Sequence, residues 1–538
     1  MPMMTVQNGP GALVDDEWFG VATPLFGHLE QFISVLWLDF LMDFEPRDGD
    51  QLNIVFCPRH AVVSLPIHIM LFHAPHATST KGELMRGTDT LLEGLKADME
   101  GAPCPPPIAR WLASLPDDLL SLLQTLAEAG EGAWLVGGCV RDAWLGEAAP
   151  DIDVCTTCTP HRMMELFGEQ AIPTGIDYGT ITVKGQGRHY EVTTLRTESL
   201  YRDGRRPDVV NWGRSLKEDL SRRDFTFNSM AVDVARRRLY DPYNGMVDLQ
   251  QRLVRAVGDA SQRCEEDALR ILRAYRFTRR DSGPLWGMDA ELEQAIARHG
   301  TRLSMVAIER RWMEVKKILA GPKPGDVLRA MQDGGVLRHV FEHLIVMNTA
   351  LLNVLDDDRL QRLHLHQRLA LMMVEHPTKE AVQQLKSLRA SNELQRSTAA
   401  FHEVLGHLPT SDTAALRVFS HALTTQAEAH LLSLECLADH DVRLHTGLQP
   451  EAAAVFEVKK RWRAVGPRSE PVPCLVDGHW LMAHTNIGQG MRLGRLKQWL
   501  HRRQIEEDVT TMEGMEALLI RTPYEHGGVE DWPTPSFP

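Results

Sequence analysis

Over residues 116–129 the leucines Leu119, Leu120, Leu122, Leu123 and Leu126 recur at helical spacing, which predicts a helix with one apolar face. The next apolar burst, Ala133-Trp134-Leu135-Val136, stops at Gly137-Gly138 and predicts a strand running into a turn. Similar patterns predict strands at 152–155, 180–183, 189–195 and 230–234, the last running on into Leu239-Tyr240. Helices fall between and after them. From about 265 to 520 the spacing is helical almost throughout, so the pattern describes a compact α/β head followed by a long α tail.

The first 105 residues carry less pattern. Residues 52–72 read as one or two apolar strands or a buried hairpin, and the segment ends in the stiff run Pro103-Cys104-Pro105-Pro106-Pro107. His60, His68, His73 and His76 lack the spacing of a metal site and read as solvated loop histidines. Three roles stay open for this leader: an accessory domain, a partner-binding arm, or translated upstream sequence with Met99 as an alternative start. A chain beginning at Met99 is expected to keep the activity of the head.

At ~100–200 residues per domain, 538 residues imply three or four domains. No apolar run approaches the ~20 residues of a membrane helix. Eight irregularly spaced cysteines and the lack of a secretory signal point to a reducing cytoplasm. The net charge of −14 argues at first against a nucleic-acid partner. That charge is uneven, however: residues 1–100 hold 14 acidic and 5 basic side chains, so −9 belongs to them and −5 to the other 438 residues. An acidic total therefore does not exclude local basic strips on the motif-bearing part.

Chemistry enters with Leu135-Val136-Gly137-Gly138-Cys139-Val140-Arg141-Asp142 followed by Asp151-Ile152-Asp153. Paired glycines after a strand let backbone N–H groups approach a triphosphate, and the following helix start favours the same anion. Alternate residues of a strand face one way, so Asp151 and Asp153 present two carboxylates to one site, as a two-Mg²⁺ phosphoryl-transfer centre requires. In Arg222-Arg223-Asp224-Phe225-Thr226-Phe227-Asn228, Arg223 can hold a phosphate or a base edge, while Asp224 and Asn228 suit a ribose hydroxyl. In the helical run 266–276, Asp267 and Arg270 stand three apart, on one helix face. A carboxylate there accepts from the exocyclic amine of C or A and repels the carbonyl of U or G, while the guanidinium donates to a ring acceptor. The competing reading is an intrahelical salt bridge. Glu191, in the predicted strand 189–195, is either a third active-site carboxylate or an edge-strand charge.

Taken together, these motifs resemble the class II tRNA nucleotidyltransferases, the CCA-adding enzymes of the tRNA nucleotidyltransferase/poly(A) polymerase family. The resemblance is strong from about 119 to 321 and continues weakly to Val476-Asp477-Gly478-His479-Trp480-Leu481-Met482 and Ile487-Gly488-Gln489-Gly490. It implies an α+β fold: a polymerase-β-like head with a small mixed sheet, followed by an all-α neck, body and tail. The implied bounds are 1–105 for an acidic extension, 106–250 for the head, 251–325 for the neck, 326–445 for the body and 446–538 for a tRNA-binding tail. The implied reaction is template-independent addition of C, C and A to the 3′ end of tRNA from CTP and ATP, with two Mg²⁺ ions.

The resemblance also implies roles for residues. Asp151 and Asp153 hold metal, with Glu191 beside them, and Gly137, Gly138 and Arg141 hold the triphosphate. Arg223, Asp224 and Asn228 select the ribonucleotide. Asp267 and Arg270 read the base, Glu266 belongs to the same nucleotide-binding set, Arg273 and Arg276 support the site, and 309–314 is a helix that braces the base-reading helix. The Gly- and Pro-containing charged segment 197–208 is similar to the family's flexible loop, which favours CCA or A addition over CC addition. The turn-rich stretch 241–248 is similar to its head–neck link.

The segment 172–183 looks like the tRNA enzymes and not the poly(A) polymerases, although Tyr178 stands where histidine is usual. A poly(A) polymerase, an A-adding enzyme and a non-catalytic tRNA-binding paralogue are the alternatives. Cys155-Thr156-Thr157-Cys158 has no second cysteine pair, and His440-Asp441 lacks the rest of a phosphohydrolase pattern. In the tail, Lys459, Lys460, Arg461 and Arg463, with Arg492, Arg495, Lys497, Arg502 and Arg503, either track acceptor-stem and TψC phosphates or line a solvated helix face.

Overall fold

The computed structural model describes residues 91–197, 211–281, 283–341, 346–526 and 528–538, together with the paired strands Val55–Phe56 and Val63–Ser64. The chain divides into two units, Met1–Thr80 and Lys81–Pro538. In the first, the two short strands pair antiparallel within the hairpin expected at 52–72. The leader histidines and most of the loop 197–208 lie outside the described residues.

In the second unit the head is built on one mixed sheet. Its strands in chain order are β1 (Ala102–Pro103), β2 (Ala133–Val136), β3 (Asp153–Thr156), β4 (Ala171–Gly175), β5 (Thr180–Lys184), β6 (His189–Thr194), β7 (Ala231–Asp233) and β8 (Arg238–Tyr240). Across the sheet they lie β1-β8-β7-β2-β3-β6-β5-β4. The pair β3–β6 is parallel and the other neighbours are antiparallel.

Strand alternation gives the sheet two different faces. Leu135, Val154, Ile181, Tyr190 and Val192 point into the main core, under the leucine face of helix Asp117–Glu128 and helices Gly138–Leu145 and Pro160–Phe167. On the other face Trp134, Val136 and Cys155 pack with Leu216 and Leu220 of helix Leu216–Ser221 in a smaller cluster. That helix covers only part of the face, and the rest is left to the cleft described below.

The boundary expected at 105/106 falls inside the head. β1 pairs with β8, the Leu95 N–H donates to the Glu131 carbonyl at 3.2 Å, and the Asp98 carboxylate accepts the N–H groups of Leu216 (2.9 Å) and Lys217 (3.3 Å). Asp98 therefore holds the first turn of a helix that walls the cleft. Acidic composition grouped these residues with the leader, but their carboxylates serve the head. A chain beginning at Met99 is now expected to lose this anchor and melt at a lower temperature than one beginning at Lys81, with thermal unfolding of the two as the measurement.

Beyond the head the described residues are helical apart from a short parallel pair, Leu253–Val254 with Gly287–Met288. The neck includes Ala260–Glu266, Leu269–Phe277, Ala290–His299 and Ile308–Ala320. Helices from Pro324–Asp333 to Asn392–Leu405, with part of Ala427–Asp439, continue the main core, while Leu416 and Phe419 of helix Thr413–Leu423 pack in a smaller cluster with Leu431 and Trp462. The tail has a core of its own, in which Leu493, Leu496 and Leu500 of helix Met491–Glu507 meet Met515, Leu518 and Trp532.

Four arginines of that tail helix reach residues 522–534. Arg492 donates to the Tyr524 carbonyl at 2.7 Å, and Arg495 to the carbonyls of Glu530 (3.1 Å) and Trp532 (3.0 Å). Arg502 reaches the Thr534 carbonyl (3.0 Å) and Arg503 the Thr522 hydroxyl (3.0 Å). These four arginines hold the C-terminal segment in place, and Lys459 pairs with Glu435. Among the described residues no helix is long and apolar enough to cross a membrane.

Candidate active site

β2 leads directly into the glycine turn. Gly137 has φ 77° and ψ −128°, a conformation open in practice only to glycine, and its N–H donates to the Met230 carbonyl at 3.2 Å. The expectation that this N–H serves a triphosphate is therefore corrected: the sheet uses it. The contribution of Gly137 is its missing side chain, because Arg223 Nη1 lies 3.0 Å from where a Cβ would sit. Gly137→Ala is expected to cost about 1–3 kcal/mol of backbone strain and to displace Arg223, read out by urea denaturation.

Asp153 opens β3 and sits between Val136 of β2 and Glu191 of β6, its register partner across the parallel pair. Asp151 precedes it by one turn of the pleat, with Ile152 buried between them. Asp153 is an exposed residue at the start of its strand and faces the open cleft. Partial burial, then the Glu191 carboxylate and that of Asp151, push its pKa up to about 6 against the pull of Arg223. Among the described residues no three metal-binding side chains converge as a closed set. The donors here are nevertheless all carboxylate oxygens with charge to spare, which suits a hard cation such as Mg²⁺ that keeps part of its shell for water and phosphate.

The cleft has a volume of about 410 Å³. The head lines it with Asp153, Glu191, Arg223 and Asp224, and the neck with Asp267, Arg270, Arg273 and Arg310. Four elements thus deliver charged side chains to one space. Arg223 is fixed by Asp219, which is only 1% exposed and also holds Arg222. Burial alone would raise the Asp219 carboxyl, but the two guanidinium groups hold it below the usual carboxylate range.

Asp224 and Asn228 belong to a relay of side chains. Asp224 accepts from Arg273 Nε at 2.7 Å and from Asn228 Nδ2 at 3.1 Å, and Asn228 Oδ1 accepts from Arg141. Burial opposes ionisation of Asp224, yet Arg273 and Asn228 keep its carboxyl below the ordinary range. Arg141 does not line the cleft. It is buried on helix Gly138–Leu145, bonded to Asp142 at 2.9 Å and stacked 5.1 Å from the Phe277 ring centre. Its place is behind Asn228. Arg273 and Arg276 both reach buried Glu314, Arg276 at 2.6 Å, so the helix Ile308–Ala320 does brace this wall.

The expected single helix carrying Asp267 and Arg270 is corrected. Helix Ala260–Glu266 ends at Asp267, whose φ of −149° and ψ of 98° are extended, and Leu269–Phe277 begins after it. The reason is local: Asp267 Oδ1 accepts the Leu269 N–H at 3.1 Å, so its side chain competes with the helix for backbone donors. A backbone bond from Arg270 N–H to the Asp267 carbonyl (3.0 Å) still brings the two to one wall. Asp267 pairs with Arg310, while Arg270 bonds Glu266 at 2.9 Å and the Arg222 carbonyl at 3.0 Å. Asp219 and Arg310 were missed as cleft residues. The i, i+3 and i, i+4 spacing of Asp219 to Arg222 and Arg223 was the available signal for the first; nothing local marks the second.

Residues 133–255 match the family described as the poly A polymerase head domain, and 287–347 the one described as the probable RNA and SrmB-binding site of polymerase A. The CCA-adding enzyme of Lactiplantibacillus plantarum is 44% identical over 203 residues, 38% of this chain and 49% of that protein. The chain thus spans about half the length of this and other curated relatives it matches. The CCA-adding enzyme of Anoxybacillus flavithermus is 32% identical over 369 residues, 68% of this chain and 86% of that one. The crystal structure of the Bacillus stearothermophilus CCA-adding enzyme in complex with CTP superposes with a TM-score of 0.60 at 26% identity, covering 77% of this chain and 97% of that one.

Proposed function

We propose, for a chain that belongs to the CCA-adding enzymes of the tRNA nucleotidyltransferase/poly(A) polymerase family, that it adds C, C and A in turn to the 3′ end of tRNA from CTP and ATP. The observation that carries this reading is the meeting in one cleft of the carboxylates Asp153 and Glu191 with the pair Asp267 and Arg270. One set suits phosphoryl chemistry and the other suits reading a base. The terminal 3′-hydroxyl attacks the α-phosphate in line, and pyrophosphate leaves.

Asp151 and Asp153 would hold two Mg²⁺ ions, which supply charge neutralisation and a more acidic attacking hydroxyl. Glu191 adds negative charge beside them. Arg223, held by Asp219, offsets the crowding of these carboxylates and faces the incoming phosphates. Gly138, at the start of the helix, offers its backbone to the same anion. Asp224 and Asn228 order the ribose, with Arg141 orienting Asn228 from behind. Asp267 accepts from the amine of C or A, and Arg270 donates to the ring; Glu266, Arg273 and Arg276 hold that wall in place. The reaction is assigned to the cytoplasm, with tRNA as the macromolecular partner.

The test is incubation with tRNAs ending before CCA, after C and after CC, each with one NTP at a time. Ordered incorporation of C, C and then A, stopping there, is expected. A only on the CC-ended tRNA would narrow the reading to A addition. Long A tails on arbitrary RNA would replace it with a poly(A) polymerase, and no incorporation on any of them would leave a binding protein.

A further inference from the structure

Arg310 lies in the segment 309–314 that is expected to brace the base-reading wall, and the structure gives it a contact with the base-reading carboxylate itself. It lies at the start of helix Ile308–Ala320 and reaches across to the break between two neck helices. There its guanidinium takes both oxygens of Asp267: Nη1 donates to Oδ1 at 3.2 Å and Nη2 to Oδ2 at 2.6 Å. The contact is a two-point fork, which fixes the plane of a carboxylate as well as its position. Both side chains keep about a third of their surface open to the cleft (35% for Arg310 and 28% for Asp267), so a ligand reaches the pair.

Asp267 needs such a device because its backbone gives it little support. It stands in extended conformation between two helices, and its one other side-chain bond in the wall is from the Leu269 N–H. Arg270, by contrast, is tied down at Glu266, at the Arg263 carbonyl and at the Arg222 carbonyl. The acceptor half of the base-reading pair is therefore oriented from a different helix than the donor half. Each carboxylate oxygen has two lone pairs, so Asp267 can hold Arg310 and still accept from an exocyclic amine.

We propose that Arg310 is a specificity-determining positioning residue: by clamping Asp267 it sets the angle at which the base edge is read, and so the rejection of U and G. This rests on the nucleotidyl-transfer reading above. Without the clamp the carboxylate swings freely, turns away from a carbonyl it should repel, and makes a weaker bond to the amine it should hold. The loss falls on choice and affinity, and not on the chemical step at Asp153.

The experiment compares the full chain with Arg310→Met, Arg310→Lys and, as a control on the same helix, exposed Met313→Ala. Each is given tRNA lacking CCA with CTP, UTP or GTP, and tRNA ending in CC with ATP, UTP or GTP, one nucleotide at a time, and kcat and KM are measured separately. Arg310→Met should raise KM for CTP and ATP and cut the preference over UTP and GTP by about 10–100-fold, the worth of one bidentate contact, with kcat at saturating CTP little changed. Arg310→Lys keeps the charge but not the fork, and should recover affinity without recovering the preference. Met313→Ala should match the parent.

An unchanged preference in Arg310→Met, or an equal fall in kcat on all four nucleotides, overturns the proposal. So does full recovery by lysine. If Arg310→Met does not fold, Arg310→Lys against the parent carries the comparison alone. Calorimetric binding of CTP and UTP to the same proteins separates the two layers. Should the parent bind CTP over UTP yet transfer nothing, the transfer reading fails and the role of Arg310 is still decided by the binding ratio.

Discussion

Asp153→Asn is expected to abolish nucleotide incorporation, by on the order of 10³-fold or more, while leaving the protein folded and at pH 8 more resistant to heat than the parent. The rate loss follows from removing one of the carboxylates that hold charge at the reacting phosphate, a contribution of several kcal/mol. The gain in stability follows from crowding. Burial, Glu191 and Asp151 raise the Asp153 pKa to about 6, so the folded protein carries this charge at a cost. The sign is set by linkage: a carboxyl raised in the folded state is destabilising above its folded pKa, and the penalty fades as pH falls toward its ordinary value near 3.8. The advantage of Asp153→Asn in melting temperature should therefore be full at pH 8, shrink through pH 6 and vanish near pH 4. Added Mg²⁺ should raise the melting temperature of the parent and not of the variant. A variant that keeps transferring nucleotides, or that melts lower than the parent at pH 8, would remove Asp153 from this role.

The reason this site was largely legible beforehand is that its chemistry sits on regular elements. Asp151-Ile152-Asp153 alternates across the start of a strand, and Gly137 ends the neighbouring one, so spacing along the chain translated into proximity in space. The strands β2, β3, β5, β6 and β7 were readable for the same reason, each being a short apolar burst between turn residues. What stayed hidden has a common cause. β1 is two residues long and made of Ala102 and Pro103, and only its partner β8 makes it a strand. β4 has half-exposed residues and no clear alternation. Arg310 joins the site from 43 residues downstream of Asp267, a distance over which local pattern says nothing. The break at Asp267 went unseen because helical periodicity continues through it while one side-chain bond ends the helix.

In the tail the spacing of the basic residues is seen in the structure, together with the contacts they make inside the chain. Basic residues at three- and four-residue steps do lie on neighbouring faces of Met491–Glu507, as spacing requires. Within the chain, guanidinium donors of this helix are met by carbonyl oxygens of Tyr524, Glu530, Trp532 and Thr534. In the cleft the same side chain type is likewise spoken for: Arg223 by Asp219, Arg273 by Asp224 and Arg310 by Asp267. Positive charge in the cleft is held in place by buried or half-buried carboxylates.

Asp219→Ala is the substitution expected to cost the fold most. Asp219 is 1% exposed and its two oxygens divide between Arg222 and Arg223, Oδ2 accepting from Arg223 at 3.2 Å. Removing the carboxylate leaves two partly buried guanidinium groups without their counter-charge, which typically costs about 3–5 kcal/mol. The pH dependence runs opposite to that of Asp153. A carboxyl held below its ordinary range contributes stability that is complete above its unfolded pKa and lost only as pH falls through the lower folded value. The stability gap between parent and variant should thus be constant from pH 5 to 8 and close only in strong acid, as read by urea denaturation. Activity should fall as well, by about 10–100-fold at temperatures where the variant remains folded, because Arg223 loses its anchor beside Asp153 and Gly137. Asp219→Glu should restore most of the stability, since it keeps the charge, and less of the activity, since the longer side chain places Arg223 elsewhere. Equal recovery of both would show that Arg223 needs only a counter-charge, and that its exact placement does not matter to the reaction.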